Sequence, residues 1–133
     1  RGMRAFAESY AENATRVQFK RKDPRGWAAF RERLAEHSAL GSALIIQGVM
    51  LRRPTIFSLE EKLVRLRVPT LLVVGDEDEN CIDTSIFMKR KIPGADLLMV
   101  PGSGHTVNLE EPALFNQVVS HFLHGVEART GGR

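Results

Sequence analysis

The sequence predicts an α/β fold in which a helical segment is followed by a parallel strand–helix–strand–helix unit. Before Pro69 the apolar residues recur at helical spacing, whereas residues 71–74 and 97–100 are two short apolar runs that each lead into a glycine turn. A crossover between two strands of one sheet is almost always right-handed and brings the strands parallel, so both should end at one edge. The chain has 133 residues, 43% of them hydrophobic, which is enough for one domain with a core.

Two helices are expected at the start of the chain. Phe6, Tyr10 and Ala14 recur at helical spacing and predict a first helix that runs to about residue 19. Asp23-Pro24 then supplies an N-cap and a proline at the first helical position, which predicts the start of a second helix.

Two further helices are expected before Pro69. Gly41 interrupts the pattern, and residues 42–51 form the next apolar helix. Ser58 and Glu61 have the spacing of a capping box, which predicts a short helix with Ser58 at its N-cap.

The second half of the chain alternates between strands and helices. Residues 70–74 and 96–100 are the expected strands, and Asp83 is the expected cap of a helix over residues 84–91 between them. Pro112 lies in the first turn of a final helix with an apolar stripe.

One titratable residue follows each predicted strand closely. Asp78 comes three residues after Gly75, and His105 follows Gly104. Parallel strands place both residues at the same sheet edge, where open α/β sheets carry their functional sites. A carboxylate beside a histidine fixes the imidazole tautomer and stabilises the imidazolium, so the two residues are candidate members of a nucleophilic triad.

Composition argues against several other classes of protein. The net charge of +3 is modest, and the basic residues are not interleaved with aromatic ones, so no nucleic-acid partner is expected. No segment approaches the ~20 apolar residues of a membrane span, so no membrane association is expected. Cys81 is the single cysteine, which excludes an intrachain disulfide and favours a cytoplasmic location.

Other readings of the two loops match their motifs less well. The spacing of Asp76, Asp78 and Asn80 resembles the start of a calcium loop, but Cys81 replaces the required glycine. A magnesium-dependent phosphotransferase remains an alternative, although its first aspartate would directly follow the strand. A glycine turn for a dinucleotide at residues 102–104 lacks its third glycine.

Residues 68–78 and 102–112 resemble the acid loop and the histidine loop of the α/β-hydrolase fold family. The resemblance implies that Asp78 is the triad acid and that His105 is the general base. It also implies that residues 1–67 form a helical cap, and that residues 68–133 form the C-terminal β-α-β-α part of the core. Such a protein would hydrolyse a small apolar carbonyl compound, an ester or a lactone-like substrate, without a cofactor or a metal.

The sequence departs from this family at the nucleophile. The family carries it on a Gly-x-Ser-x-Gly turn upstream of the acid, and no such motif occurs here. Cys81 is nucleophilic by type, but it lies in the acid loop itself. We therefore expect the C-terminal half of a longer hydrolase, a partial α/β-hydrolase fold, whose isolated chain is inactive and self-associates.

A non-catalytic alternative remains open. The chain could be a helical interaction or oligomerisation module on a degenerate hydrolase fold. Its contact face would then consist of apolar residues in the helical half, namely Trp27, Phe30, Ile45, Ile46 and Met50.

Overall fold

The computed structural model describes residues 2–130 and has a mostly helical first half. Its elements are α1 (Met3–Ala11), α2 (Val17–Lys22), α3 (Pro24–Ala35), α4 (Ala39–Ile45) with a π-helical extension (Ile46–Met50), and a 3₁₀-helix (Ile56–Leu59) leading into α5 (Glu60–Leu63).

The second half contains one small parallel sheet and three helices. They are β1 (Leu71–Gly75), α6 (Glu79–Lys91), β2 (Asp96–Val100), α7 (Val107–Glu110) and α8 (Pro112–Thr130). The two strands pair in parallel, with Leu71 opposite Asp96 and Gly75 opposite Val100. The α/β class and the parallel crossover predicted from the sequence are therefore confirmed.

Two apolar clusters form the described core. In the helical half, Phe19 and Trp27 are buried against Ala11, and the Trp27 indole donates a hydrogen bond of 2.9 Å to the Ala11 carbonyl. In the second cluster, Leu63 packs with Ile92 and Ala95, so α5 lies against the far end of α6. Trp27 is thus a core residue, and the contact face expected to include it is wrong in that respect, whereas Phe30 is half-buried at the edge of this cluster.

The first predicted helix is in fact two helices. Between α1 and α2 the Asn13 side-chain oxygen accepts hydrogen bonds from the backbone amide and the hydroxyl of Thr15. Such a local turn competes with the helical hydrogen-bond ladder and interrupts it. At the next boundary the prediction is confirmed, because the Asp23 side chain accepts from the Gly26 amide and Pro24 is the first residue of α3.

Two other helix starts differ from the prediction. The Ser38 hydroxyl caps α4 by accepting from the Gly41 amide, so Gly41 lies inside the helix and does not interrupt it. Thr55 provides the cap at the next start by accepting from the Ser58 amide, which makes the expected Ser58 capping box wrong.

The helix between the two strands is longer than predicted. α6 begins at Glu79, so Asp83 lies within it, and α8 extends from Pro112 to Thr130. The short helix α7 was not predicted. Within residues 2–130 no helix is both long and apolar enough to cross a bilayer.

Candidate active site

The loops that follow the two strands are joined along their main chains. The Asp76 amide donates to the Val100 carbonyl over 3.0 Å, which extends the sheet pairing beyond β1. The Glu77 amide then donates to the Ser103 carbonyl over 2.9 Å, and the Asp76 carboxylate accepts from the Ser103 amide. These bonds hold the acid loop and the histidine loop side by side.

Gly75 permits this close approach. A Cβ atom at this position would collide with the main-chain oxygens of Ser103 and Gly104. Only glycine lets the end of β1 lie directly against the histidine loop.

Asp78 and His105 are in direct contact. His105 Nδ1 lies 2.6 Å from Asp78 Oδ2, and the Asp78 side chain is only 4% exposed whereas that of His105 is 45% exposed. Because a carboxylate accepts hydrogen bonds, the contact favours the tautomer with its proton on Nδ1. Nε2 is then free to take a proton from another group. The contact expected from the sequence is therefore present.

The buried carboxylate of Glu110 holds the histidine loop in place through hydrogen bonds. Glu110 accepts hydrogen bonds from the amides of Gly104 (2.8 Å) and Thr106 (3.1 Å), which are the two neighbours of His105, and also from the Thr106 hydroxyl. Glu110 is only 6% exposed. Sequence reasoning did not identify this role, because nothing in the spacing of Glu110 distinguishes it from a helix-surface glutamate.

The helical half also supports the site. The His105 amide donates to the Thr15 carbonyl over 2.8 Å, so the segment between α1 and α2 holds the histidine loop. From α2, Gln18 and Arg21 both bond to the Glu77 carboxylate in the acid loop. These contacts connect residues on both sides of the domain boundary predicted near residue 67.

Cys81 lies beside the pair. Its sulfur is 3.8 Å from His105 Nδ1, and both residues line a cavity of about 220 Å³ together with Asp78. Burial, followed by the neighbouring Asp78 carboxylate, raises the pKa of the Cys81 thiol to about 11. The thiol is therefore protonated at neutral pH and is a poor nucleophile.

Serine and threonine side chains in the described chain do not complete a triad. Thr84 and Ser85 line the same cavity, but the Thr84 hydroxyl donates to the Cys81 carbonyl. Within residues 2–130 no hydroxyl is hydrogen-bonded to the His105 ring. The described residues thus provide an acid and a base without a hydroxyl positioned for attack.

A larger apolar cavity adjoins the first. Its volume is about 730 Å³, and it shares Cys81, Thr84 and Met88 with the smaller cavity. The rest of its wall is mostly apolar, with Met50, Ile56, Phe57 and Leu59 among its residues, and Arg53 also lines it.

Two relatives match about half of the sequence. The chain is 35% identical over 69 residues to a Bacillus subtilis (strain 168) protein assigned as a 2-succinyl-6-hydroxy-2,4-cyclohexadiene-1-carboxylate synthase. It is 30% identical over 66 residues to a proline iminopeptidase of Saccharolobus solfataricus. These matches cover 52% and 50% of this chain, but only 25% and 21% of the relatives. No family model matches the sequence.

Two solved structures resemble nearly the whole chain. MenH from S. aureus superposes over 93% of it with a TM-score of 0.85 at 20% identity. Est816, described as an N-acyl homoserine lactone degrading enzyme, superposes over 89% of it with a TM-score of 0.69 at 26% identity. In both cases this chain spans 46% of the matched structure.

Proposed function

Because the chain has the fold of about half of an α/β-hydrolase domain, we propose that it belongs to a longer hydrolase and supplies its catalytic acid and base. Asp78 is the acid and His105 is the base. The observation that carries this proposal is the 2.6 Å contact between Asp78 Oδ2 and His105 Nδ1 at the carboxyl ends of two parallel strands.

The geometry of the pair supports specific roles for its two members. With its proton on Nδ1, His105 accepts the proton of an attacking hydroxyl at Nε2 and later returns it to the leaving group. The buried Asp78 carboxylate holds the ring in this tautomer and stabilises the imidazolium that forms. The exposed side of the ring is where the nucleophile and the substrate would lie.

The adjoining apolar cavity supports a small apolar substrate. A volume of about 730 Å³ is in the range of small-molecule sites, and apolar side chains line most of its wall. We therefore propose an ester or lactone-like substrate whose apolar part occupies this cavity and whose carbonyl lies near His105. In this proposal residues 1–67 act as the cap, because Met50 and Phe57 contribute to the wall.

The missing part of the proposed hydrolase has a clear chemical consequence. Removal of one oxyanion-hole donor lowers the rate of such an enzyme on the order of 10²–10³-fold, and removal of the nucleophile lowers it about 10⁶-fold. We propose that the chain by itself has no hydrolase activity, since its acid and base have no nucleophile to activate.

The test compares the longer protein with the isolated chain on a panel of aryl esters and lactones. In the longer protein, His105→Ala and Asp78→Asn should each lower kcat about 10³-fold or more, since either change disables the base. His121→Ala, which alters an exposed histidine on α8, should leave kcat unchanged.

Two results would contradict the proposal. Full activity of the His105→Ala protein would remove the catalytic role of the pair. Turnover by the isolated chain that is lost in His105→Ala would show that residues 1–133 are catalytically sufficient.

A second candidate function is a self-associating or protein-binding module without catalysis. The observation that favours it is the exposure of Ile45 (60%), Met50 (46%) and Ile46 (41%) on α4 and its π-helical extension. A longer protein that lacks a Gly-x-Ser-x-Gly nucleophile turn would support this function in place of the first.

A further inference from the structure

Three side chains at the site form a ligand set of the kind that binds transition metals. An oxygen of Asp78, the sulfur of Cys81 and a ring nitrogen of His105 all lie within 4.8 Å of one another. Thiolate, imidazole and carboxylate are the groups that hold zinc in proteins. We propose that Asp78, Cys81 and His105 form a binding site for Zn²⁺ or a similar thiophilic divalent cation.

The distance between the sulfur and the ring nitrogen is close to the one that a tetrahedral zinc ion requires. With Zn–S of about 2.3 Å and Zn–N of about 2.0 Å, the sulfur and the nitrogen would be about 3.5 Å apart. Cys81 Sγ and His105 Nδ1 are 3.8 Å apart. Small side-chain rotations therefore bring these two ligands to bonding distance of one ion.

The carboxylate has an oxygen available for the metal. Asp78 is only 3% exposed, and its Oδ1 atom has no hydrogen-bond partner within the described chain. A buried carboxylate oxygen without a partner is energetically costly, and an ion would supply the missing interaction. This oxygen belongs to a residue that lines the same cavity as Cys81 and His105, and its lack of a partner is a second observation that favours a ligand there.

The site also has an entry path and room for a fourth ligand. All three residues line the cavity of about 220 Å³, and the His105 side chain is 45% exposed. A water molecule could thus complete the coordination. The main chain of His105 is anchored to the Thr15 carbonyl, which keeps this ligand in place.

Charge and proton balance are simple for this site. On binding, the Cys81 thiol releases its proton to solvent, and the thiolate and the Asp78 carboxylate together neutralise the divalent ion. The metal takes Nδ1 of His105, so the ring proton moves to Nε2.

The proton on Nε2 would make the metal an inhibitor. A ring protonated at Nε2 cannot accept the proton of an attacking hydroxyl, and Asp78 would no longer orient it. This inhibitory consequence rests on the proposed function, whereas the binding itself does not. The cation is therefore a regulator of the site and not a cofactor of the reaction.

Co²⁺ is the probe that tests binding on the chain as it is, without any activity assay. A thiolate-to-cobalt charge-transfer band should appear, saturate at one equivalent and be reversed by added Zn²⁺. Cys81→Ser should abolish the band, and His105→Ala should weaken Co²⁺ binding at least tenfold. The double variant His121→Ala/His124→Ala is the matched control and should bind as the unmodified chain does, because those histidines lie on α8.

Several results would overturn the proposal. They are the absence of the band in the unmodified chain, its persistence in Cys81→Ser, and its loss in the α8 double variant. Circular dichroism of each variant would verify that a lost band does not reflect an unfolded chain. In the longer protein, Zn²⁺ should inhibit hydrolysis less in Cys81→Ser than in the unmodified enzyme, and equal inhibition would refute the regulatory role.

Discussion

The two carboxylate oxygens of Asp78 are in different situations. Oδ2 is held by His105 Nδ1 over 2.6 Å, whereas Oδ1 is buried without a partner in the described chain. The backbone of the same residue is the N-cap of α6, so its position depends on the strand before it and on the helix after it. One residue thereby connects the end of β1, the start of α6 and the histidine loop.

Burial and, after it, the same carboxylate lower the reactivity of Cys81. With its pKa raised to about 11, only about one thousandth of the thiol is ionised at pH 8. We expect alkylation by iodoacetamide to be far slower than that of glutathione at pH 8, and to increase about tenfold per pH unit up to about pH 11. Asp78→Asn should accelerate alkylation at pH 8, because it removes a negative charge that raises the thiol pKa. An alkylation rate equal to that of glutathione would contradict this prediction.

The raised pKa of Cys81 also determines how the stability of the folded chain depends on pH. The folded chain holds the thiol proton more tightly than the unfolded chain, whose thiol has a pKa of 9.0. The stabilising contribution is therefore fully present below pH 9 and is lost as the pH rises from about 9 to 11.

At the scale of elements, we expect Glu110 in α7 to contribute far more to the free energy of unfolding than its neighbour Glu111. Glu110→Ala leaves the buried Gly104 amide and the partly buried Thr106 amide without acceptors and should lower the free energy of unfolding by about 2 kcal/mol. Glu111→Ala is the matched control. It removes a partly exposed ion pair with Lys22 and should cost less than about 1 kcal/mol.

Urea denaturation would measure the stability difference, and amide hydrogen exchange would locate it. Exchange at Gly104 and Thr106 should accelerate in Glu110→Ala and stay unchanged in Glu111→Ala. Glu110→Gln should recover part of the loss, since an amide oxygen still accepts. Equal destabilisation by the two alanine variants would contradict the bracing role of Glu110.

The elements that were predicted well are those with strong local patterns. An apolar run predicts β2, and the Asp23-Pro24 pair predicts the start of α3. The parallel crossover follows from the two apolar runs and the length of chain between them. The break after α1 was missed because it depends on one side-chain turn at Asn13, and such a residue is equally common on a helix surface. Ser58 and Thr55 are both good capping residues, and only the observed hydrogen bond decides between them.

For the candidate site, the position of the acid and the base was predictable from the sequence, whereas the contacts that support them were not. The sheet edge that unites Asp78 and His105 follows from topology, and their contact is observed. The contributions of Thr15 and Glu110 were not predictable. Thr15 acts through one long-range hydrogen bond from the His105 amide to its main-chain carbonyl, and Glu110 acts through three bonds to residues four to six positions away. Neither arrangement leaves a periodic signal in the sequence.

At the scale of the whole molecule, much apolar surface faces solvent. On α4, its π-helical extension and the residue that follows, the large side chains Leu40, Leu44, Ile45, Val49 and Leu51 are each more than half exposed. A monomer rarely presents so many large apolar side chains on one element. We propose that a second copy of the chain covers this surface when the chain is isolated.

Analytical ultracentrifugation tests this proposal. The isolated chain should sediment as a dimer or a larger species at about 100 μM, a concentration at which an interface with a micromolar Kd is mostly occupied. Leu44→Lys combined with Val49→Lys should shift it toward the monomer, because lysine at both positions makes the patch costly to bury. Leu123→Lys, at an exposed site on α8, is the control. A monomeric unmodified chain, or an equal shift in the control, would refute the proposal.

The single crossover that joins the two strands also has a consequence for the order of folding. Asp78 and His105 are 27 residues apart, and the strands, the helix and both loops of the pair lie within that stretch and its flanks. The entropy lost on closing a loop grows only with the logarithm of its length, so closing this short loop costs little. We therefore expect the acid and the base to come together during the folding of one β-α-β unit, before more distant segments pack on it.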